Sequence, residues 1–178
     1  GFESEQSILC AYSQKGIWNQ ARLDAVTKSL EKIDTPYTLI ENVQVNAGKV
    51  VFSGGSPTEA SAILSMDLKN QEIEVIRKSN SLAVESAYLS VPKTIEFPTE
   101  NNLKAHGFFY PPKNKELTGP SGELPPLISI MHGGPTSATD AVLDYRIQYW
   151  TSRGFAVFDI NYGGSTGYGT DYRRRLNG

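Results

Sequence analysis

The chain has 178 residues, of which 39% are hydrophobic and 20% charged, and its formal net charge is −2. This is the composition of a globular protein; a disordered chain would need lower hydrophobicity and a higher net charge. No basic face dominates, so we expect no nucleic-acid partner. Cys10 is the single cysteine, which excludes a disulfide framework. His106 and His132 are the only histidines, and we therefore expect no zinc site.

Neither a membrane span nor a signal segment is visible in the sequence. No apolar run approaches the ~18 residues that a spanning helix needs, and the first residues lack a charged-then-apolar pattern. The chain opens on Gly1 and stops at Gly178, and both ends read as cut from something longer. We therefore expect a fragment of a soluble protein, without membrane association. The single free cysteine favours the cytoplasm.

The first part of the chain repeats itself at an offset of 43 residues. Residues 23–33 align with residues 66–76, and residues 8–13 align with residues 51–56. Each copy predicts apolar strands, with a polar turn after an aspartate and an alternating strand beyond it. A period in the low forties with four short strands is typical of a β-propeller blade, although two hairpins of a sandwich would look alike. We interpret residues 1–80 as about two blades of a partial propeller.

The composition changes after residues 79–81, and a second domain is predicted over residues 81–178. Residues 95–98 and 103–110 predict an antiparallel strand pair, and residues 113–126 a polar surface loop. The apolar run 127–131 predicts a strand buried in a parallel sheet. Spacing over Ala141 to Arg153 predicts a helix that stops at Gly154, and residues 155–160 predict a second buried strand. This strand–helix–strand order is typical of an α/β sheet.

Two glycine-rich turns follow the buried strands. His132-Gly133-Gly134-Pro135 follows the first strand directly, and paired glycines let backbone N–H groups approach a ligand. Acyl transfer needs such a donor for its oxyanion, and a His-Gly-Gly turn after an early strand is the position recorded for it in α/β-hydrolases. A glycine turn without function is the alternative.

The second turn, Gly163-Gly164-Ser165-Thr166-Gly167, matches the G-x-S-x-G pattern of a nucleophile elbow. An elbow requires a helix immediately after the serine, but Tyr168-Gly169 interrupts one here, and no histidine follows Ser165. We interpret this segment as a loop at the rim of the site and not as the nucleophile.

Three segments together resemble the prolyl oligopeptidase family of serine peptidases, in particular its acylaminoacyl-peptidase and dipeptidyl-aminopeptidase-like branch. They are Ser129-Ile130-Met131-His132-Gly133-Gly134-Pro135-Thr136, residues 148–157, and Asn161-Tyr162-Gly163-Gly164-Ser165-Thr166-Gly167-Tyr168-Gly169. The resemblance implies the last blades of a β-propeller followed by the N-terminal part of an α/β-hydrolase domain. It covers essentially the whole chain.

The resemblance also implies a function and a site. A Ser-Asp-His triad would cleave short peptides through an acyl-enzyme, without a metal or organic cofactor, and the full-length protein could form homo-oligomers. By position, the Gly134 backbone N–H would supply one donor of the oxyanion hole. The triad would lie beyond Gly178, so we expect the isolated chain to be inactive. The alternatives are an esterase of the same fold and a non-catalytic propeller–hydrolase binding protein.

The remaining candidates favour structural roles. His106 lies on an apolar strand and is interpreted as a satisfied structural histidine. Residues 173–175 are interpreted as a solvated basic face, and Glu85 and Glu96 as surface acids near the domain junction. In the same way, Trp18 and Trp150 are expected to pack in a core or between domains.

Overall fold

The computed structural model describes residues 1–134 and 136–177, and most of their regular structure is β-strand. The first sheet is antiparallel, and its strands in order are Ser7–Gln14 (β1), Ile17–Asp24 (β2) and Leu30–Ile33 (β3). The second is also antiparallel, with strands Leu39–Asn46 (β4), Lys49–Ser56 (β5), Glu59–Asp67 (β6) and Ile73–Lys78 (β7). Pro135 of the first predicted turn and Gly178 lie outside the described residues.

The first two sheets repeat one another at the predicted offset, down to the geometry of a turn. The Asp24 side chain accepts hydrogen bonds from two backbone N–H groups of the β2–β3 turn, and Asp67 does the same in the β6–β7 turn. The fifth residue of each turn is left-handed, with φ of 60° at Lys28 and 59° at Gln71. The predicted internal repeat of strands and turns is therefore confirmed.

Residues 1 and 2 lie along the edge of β1 that corresponds to the place of β4 in the second sheet. The Leu9 N–H donates to Gly1 O at 2.8 Å, and Phe2 forms an isolated antiparallel bridge with Ile8. In the second sheet, β4 pairs with β5 along the equivalent edge. Residues 1 and 2 therefore lie beside the β1–β2 hairpin as β4 lies beside the β5–β6 hairpin.

One apolar cluster joins the two antiparallel sheets. Each sheet contributes fully or almost fully buried side chains, among them Leu9, Ile33, Ile40, Phe52 and Leu64. Burying a side chain of this size contributes about 2 kcal/mol relative to leaving it in water. The cluster therefore holds the two repeats together as packed layers.

The third sheet is mixed, with the strand order β10-β11-β9-β8. Its strands are Lys93–Pro98 (β8), Lys104–Tyr110 (β9), Leu127–Met131 (β10) and Ala156–Asn161 (β11). The pairs β8–β9 and β9–β11 are antiparallel, and β10–β11 is parallel. Two short helices, Tyr145–Thr151 (α1) and Thr170–Arg173 (α2), accompany it, and α1 connects the parallel strands. In the described chain, no helix is long and apolar enough to span a membrane.

Helix α1 is shorter than the prediction of a helix over Ala141 to Arg153. It begins only at Tyr145, where the Asp144 side chain caps it by accepting the Arg146 N–H at 2.8 Å. The residues before it are held in a non-helical conformation by a long-range bond: the Leu143 N–H donates to Ser56 O at 2.8 Å. Tertiary contacts here override a helical spacing that the sequence offers.

Residues 127–131 form the predicted strand and pair in parallel with β11, but the prediction that this strand is buried is wrong. Within the described residues, β10 pairs on one side only, with β11, so its outer edge and much of its surface are open. Leu127 is 55% exposed and Met131 is 64% exposed. Trp150 on α1 is 41% exposed, which contradicts the first of its two predicted alternatives, packing in a core, and leaves packing between domains as a prediction.

Candidate active site at the carboxyl edge of the mixed sheet

The two glycine-rich turns meet at one edge of the mixed sheet. Strands β10 and β11 run parallel, so the segments that leave their carboxyl ends emerge side by side. The first turn begins at His132 and the second at Tyr162. Such an edge is where open α/β sheets bind ligands.

The side chain of His132 ties the two turns together. Its ring stacks on the Tyr162 ring with centroids 4.5 Å apart, and its Nε2 lies 2.7 Å from the Ser165 Oγ. The Tyr162 hydroxyl donates to His132 O at 3.2 Å. The start of the glycine turn is thus fixed by the loop that follows β11.

Gly134 is an exposed residue of the first turn with a left-handed backbone conformation. Its φ is +61°, a left-handed value that strains any L side chain, although a Cβ there would meet no atom within 4 Å. Gly134 is exposed, and its N–H donates to no other described residue. Its carbonyl closes the turn by accepting the Ser137 N–H at 2.9 Å. The Gly134 N–H is thus exposed and has no hydrogen-bond partner among the described residues.

Buried polar side chains of β11 hold the segment that follows this turn. The fully buried Asn161 accepts the Thr139 N–H at 2.8 Å, and its Nδ2 donates to Thr139 O at 3.2 Å and to the Tyr168 hydroxyl at 3.1 Å. The Thr139 hydroxyl donates to Asp159. The sequence analysis missed this network; its signal is the pair of polar residues at alternate positions on one face of an apolar strand.

Burial raises the pKa of two aspartates in this region, Asp159 and Asp140. Burial raises the pKa of the Asp159 carboxyl, against the lowering effect of the Thr139 hydroxyl bond. Burial also raises the pKa of Asp140, and the bond that Asp140 accepts from Trp18 opposes the rise. Both carboxyls accept hydrogen bonds, Asp159 from Thr139 and Asp140 from Trp18, close to the first glycine-rich turn.

Ser165 lacks the surroundings of a nucleophile. It is fully buried, and helix α2 begins only at Thr170, whereas an elbow places the serine at the start of a helix. The histidine beside it has no carboxylate on its other ring nitrogen; among the described residues, Nδ1 approaches Gly133 O and the Tyr162 hydroxyl. The Ser165 hydroxyl instead forms a hydrogen bond with the His132 ring and helps to hold that side chain in place.

Two of the other sequence candidates lie beside the carboxyl end of β11: His106 is opposite Asn161 in the β9–β11 register, and Glu96 is opposite His106 in the β8–β9 register. The His106 ring stacks on Tyr168 with centroids 4.3 Å apart, and burial lowers the pKa of its imidazole. Glu85 pairs with Lys115 at 2.7 Å, and Glu96 pairs with Lys104.

The basic residues at 173–175 are exposed. The Arg175 guanidinium lies 4.3 Å from the centroid of the Tyr172 ring. In the part of the chain that the structure describes, no three His, Cys, Asp or Glu side chains gather as metal ligands.

A cleft of about 530 Å³ separates the two turns from the first two sheets. Its walls come from both parts of the molecule, namely Ser13, Trp18, Glu41, Asp140, Gly167 and Arg173. The cleft is therefore bounded jointly by the antiparallel sheets and by the turns of the mixed sheet.

Comparison with known proteins identifies related chains. Residues 141–178 match the prolyl oligopeptidase family, Peptidase_S9. The uncharacterized peptidase YuxL of Bacillus subtilis strain 168 is 30% identical over 129 residues, which are 72% of this chain and 19% of that protein.

Two solved structures are also similar. A puromycin-hydrolyzing peptidase of Mycobacterium tuberculosis gives a TM-score of 0.88 at 34% identity, over 96% of this chain and 26% of its own. A mutant puromycin hydrolase complexed with PGG gives 0.85 at 36% identity, over 94% and 26%. The chain spans about a quarter or less of the length of these proteins. The resemblance that the motifs predict is confirmed, and the chain is related to the peptidases of the prolyl oligopeptidase family.

Proposed function

We propose that the protein containing this chain is a serine-type peptidase that cleaves short peptides through an acyl-enzyme. The observation that carries the proposal is the Gly134 N–H, which is exposed and unbonded among the described residues at the carboxyl edge of two parallel strands. The similarity to peptidases adds support, and one similar structure contains PGG in complex with a puromycin hydrolase. The proposed substrates are therefore peptides, with no cofactor.

In this reaction the chain stabilises charge and supplies no nucleophile. A serine attacks the peptide carbonyl, the carbonyl oxygen becomes an oxyanion, and the Gly134 N–H donates a hydrogen bond to it. One such preorganised donor lowers the barrier by about 3–4 kcal/mol. The serine, aspartate and histidine of the triad come from elsewhere in the protein, because Ser165 is buried against His132.

The architecture proposed for the chain follows from the same comparison. Residues 1–80 would be about two blades of a propeller, supported by the repeated sheets and their matching turns. Residues 81–178 would be the N-terminal part of an α/β-hydrolase domain, supported by the parallel β10–β11 pair with α1 between its strands. The cleft between the two parts would admit the peptide.

The test is a glycine substitution in the full-length protein that its gene encodes. Gly134→Ala adds a Cβ that meets no atom but strains a left-handed residue, which turns the N–H away from the oxyanion. We expect kcat on an aminoacyl p-nitroanilide to fall roughly 100-fold, the cost of losing one such donor. Gly48→Ala is the matched control: its φ is +75°, its Cβ is equally free, and it lies in the β4–β5 turn.

A fluorophosphonate probe completes the test. We expect it to label one serine of the full-length protein and to leave the isolated 178-residue chain unlabelled. Labelling at Ser165 would overturn the assignment of the nucleophile to another segment. Turnover of ester substrates alone would favour the esterase, and a full-length protein that neither labels nor hydrolyses would be the binding protein.

A further inference from the structure

Residues 136–143, which follow the first glycine-rich turn, form hydrogen bonds with the antiparallel sheets as well as with the mixed sheet. Resting on the function proposed above, we propose that Trp18 is a positioning residue for the peptidase reaction: it holds Asp140 and thereby fixes the main chain that leads from Gly134. Trp18 lies on β2, in the first sheet, and is separated from Asp140 by 122 residues of chain.

The segment needs external support because it has no regular structure. Between Gly134 and Asp144 there is neither strand nor helix in the described residues, and several of its backbone groups pair with partners far away in the chain. On the mixed-sheet side, the Asn161 side chain hydrogen-bonds to the backbone of Thr139, and the Thr166 N–H donates to Ser137 O at 3.0 Å. Those contacts secure one side of the segment only.

The other side is secured by the first two sheets. The Trp18 Nε1–H donates to Asp140 Oδ1 at 2.9 Å. The Trp18 backbone N–H donates to Thr38 O at 3.0 Å, and the Thr38 hydroxyl in turn donates to Ala141 O. Trp18 and Thr38 therefore act as one unit on two consecutive residues of the segment.

The hydrogen bond from the Trp18 Nε1–H to the Asp140 carboxylate should be stronger than a bond between two neutral groups. Trp18 packs against the apolar cluster of the first two sheets, so its ring has a fixed position from which to donate. Asp140 is partly buried, and a hydrogen bond to a carboxylate away from bulk water is worth more than one between neutral groups. Loss of this bond frees the Asp140 side chain while leaving the apolar packing in place.

The role of Trp18 can be separated from a general effect on folding by using the two tryptophans of the chain. Trp18→Phe keeps an aromatic ring in the cluster but removes the Nε1–H donor. Trp150→Phe is the control, because Trp150 is exposed on α1 and touches Tyr149 and Phe155. In the full-length protein we expect Trp18→Phe to lower kcat roughly 10-fold, the factor expected for one hydrogen bond to a charged group, and to change KM less, because Phe keeps an aromatic ring in the wall of the cleft.

Two further variants sharpen the test. Asp140→Asn keeps an oxygen that can accept from the indole, so we expect it to retain most of the activity that Asp140→Leu loses. Hydrogen exchange of the amides at residues 136–143 reports on the segment without any substrate, and we expect it to be faster in Trp18→Phe than in Trp150→Phe.

The outcomes separate this inference from the proposed function. If the unsubstituted full-length protein hydrolyses peptides and Trp18→Phe matches Trp150→Phe in both kcat and hydrogen exchange, the positioning role is wrong and the peptidase assignment stands. If the unsubstituted protein hydrolyses no peptide, the proposed function fails and the role of Trp18 in the reaction fails with it, whatever the exchange data show.

Discussion

The antiparallel sheets and the mixed sheet place their hydrogen-bonding side chains differently. In the antiparallel sheets the buried cluster is apolar, and the turn aspartates Asp24 and Asp67 bond only to nearby backbone. In the mixed sheet, β11 carries Asp159 and Asn161 into the interior, where they bond to Thr139, 20 or more residues away. The first arrangement can be repeated along a chain, whereas the second depends on one particular tertiary structure.

Two buried amides make the contrast sharpest. Asn161 uses its amide oxygen and nitrogen in three hydrogen bonds, to Thr139 and Tyr168. Gln20 on β2 is also fully buried, yet neither its oxygen nor its nitrogen has a partner among the described residues. One buried amide joins two segments of the chain, and the other hydrogen-bonds to no described residue.

Asn161→Leu should have the largest effect on stability, lowering the free energy of unfolding by about 3 kcal/mol. The substitution leaves the Thr139 N–H and carbonyl and the Tyr168 hydroxyl without their partner. Calorimetry of the full-length protein, with the unfolding enthalpy measured for each variant, checks this value.

Gln20→Met is the matched control, because it replaces a buried amide that has no described partner with an apolar chain of similar size. We expect it to be neutral or to stabilise by about 1 kcal/mol. Equal destabilisation by the two substitutions would contradict the contrast between the sheets.

Two buried tyrosines test the same point with a smaller change. The Tyr172 hydroxyl donates to Asn161 O at 2.6 Å, whereas the Tyr110 hydroxyl has no partner among the described residues, and burial raises the pKa of Tyr110 well above its ordinary value. Tyr172→Phe should cost about 1 kcal/mol, and Tyr110→Phe nothing. Chemical denaturation of the two variants side by side distinguishes them, and a larger loss for Tyr110→Phe would be inconsistent with this account.

The smallest effect should come from the repeated turn aspartates. Backbone N–H groups lower the pKa of both Asp24 and Asp67, so each stabilises the folded chain when ionised. That contribution is complete above the ordinary aspartate pKa of about 3.9 and is lost as the pH falls through the lowered folded-state value. Asp24→Ala and Asp67→Ala should therefore cause small, similar losses at pH 7 that shrink in acid.

Asp34→Ala serves as the control for the turn aspartates, because Asp34 is exposed and contacts Lys32 at 3.5 Å. Thermal unfolding between pH 7 and pH 3 measures all three variants. A loss that grows as the pH falls would contradict the sign of the pKa shift.

The sequence predicted the local structure of this chain well. The 43-residue offset predicted the two sheets and their turns, because an aspartate before a polar turn and an alternating strand impose the same hairpin wherever they occur. The glycines at 133 and 134 predicted an exposed turn after β10, and Gly134 has the left-handed φ that favours glycine. The interruption by Tyr168-Gly169 predicted that no helix follows Ser165 directly, and α2 begins at Thr170.

Contacts between distant residues had to be seen in the tertiary structure. Residues 141–144 have helical spacing but form no helix, because Thr38 and Ser56 hydrogen-bond to their backbone from the other sheets. Trp18 and Asp140 form a hydrogen bond, but nothing in the sequence around either residue predicts that they are partners. Periodicity predicts which face of an element a residue lies on, but not which partner lies opposite it. The packing of the sheets decides the partner, and here it places Trp18 against the segment that follows the first glycine-rich turn.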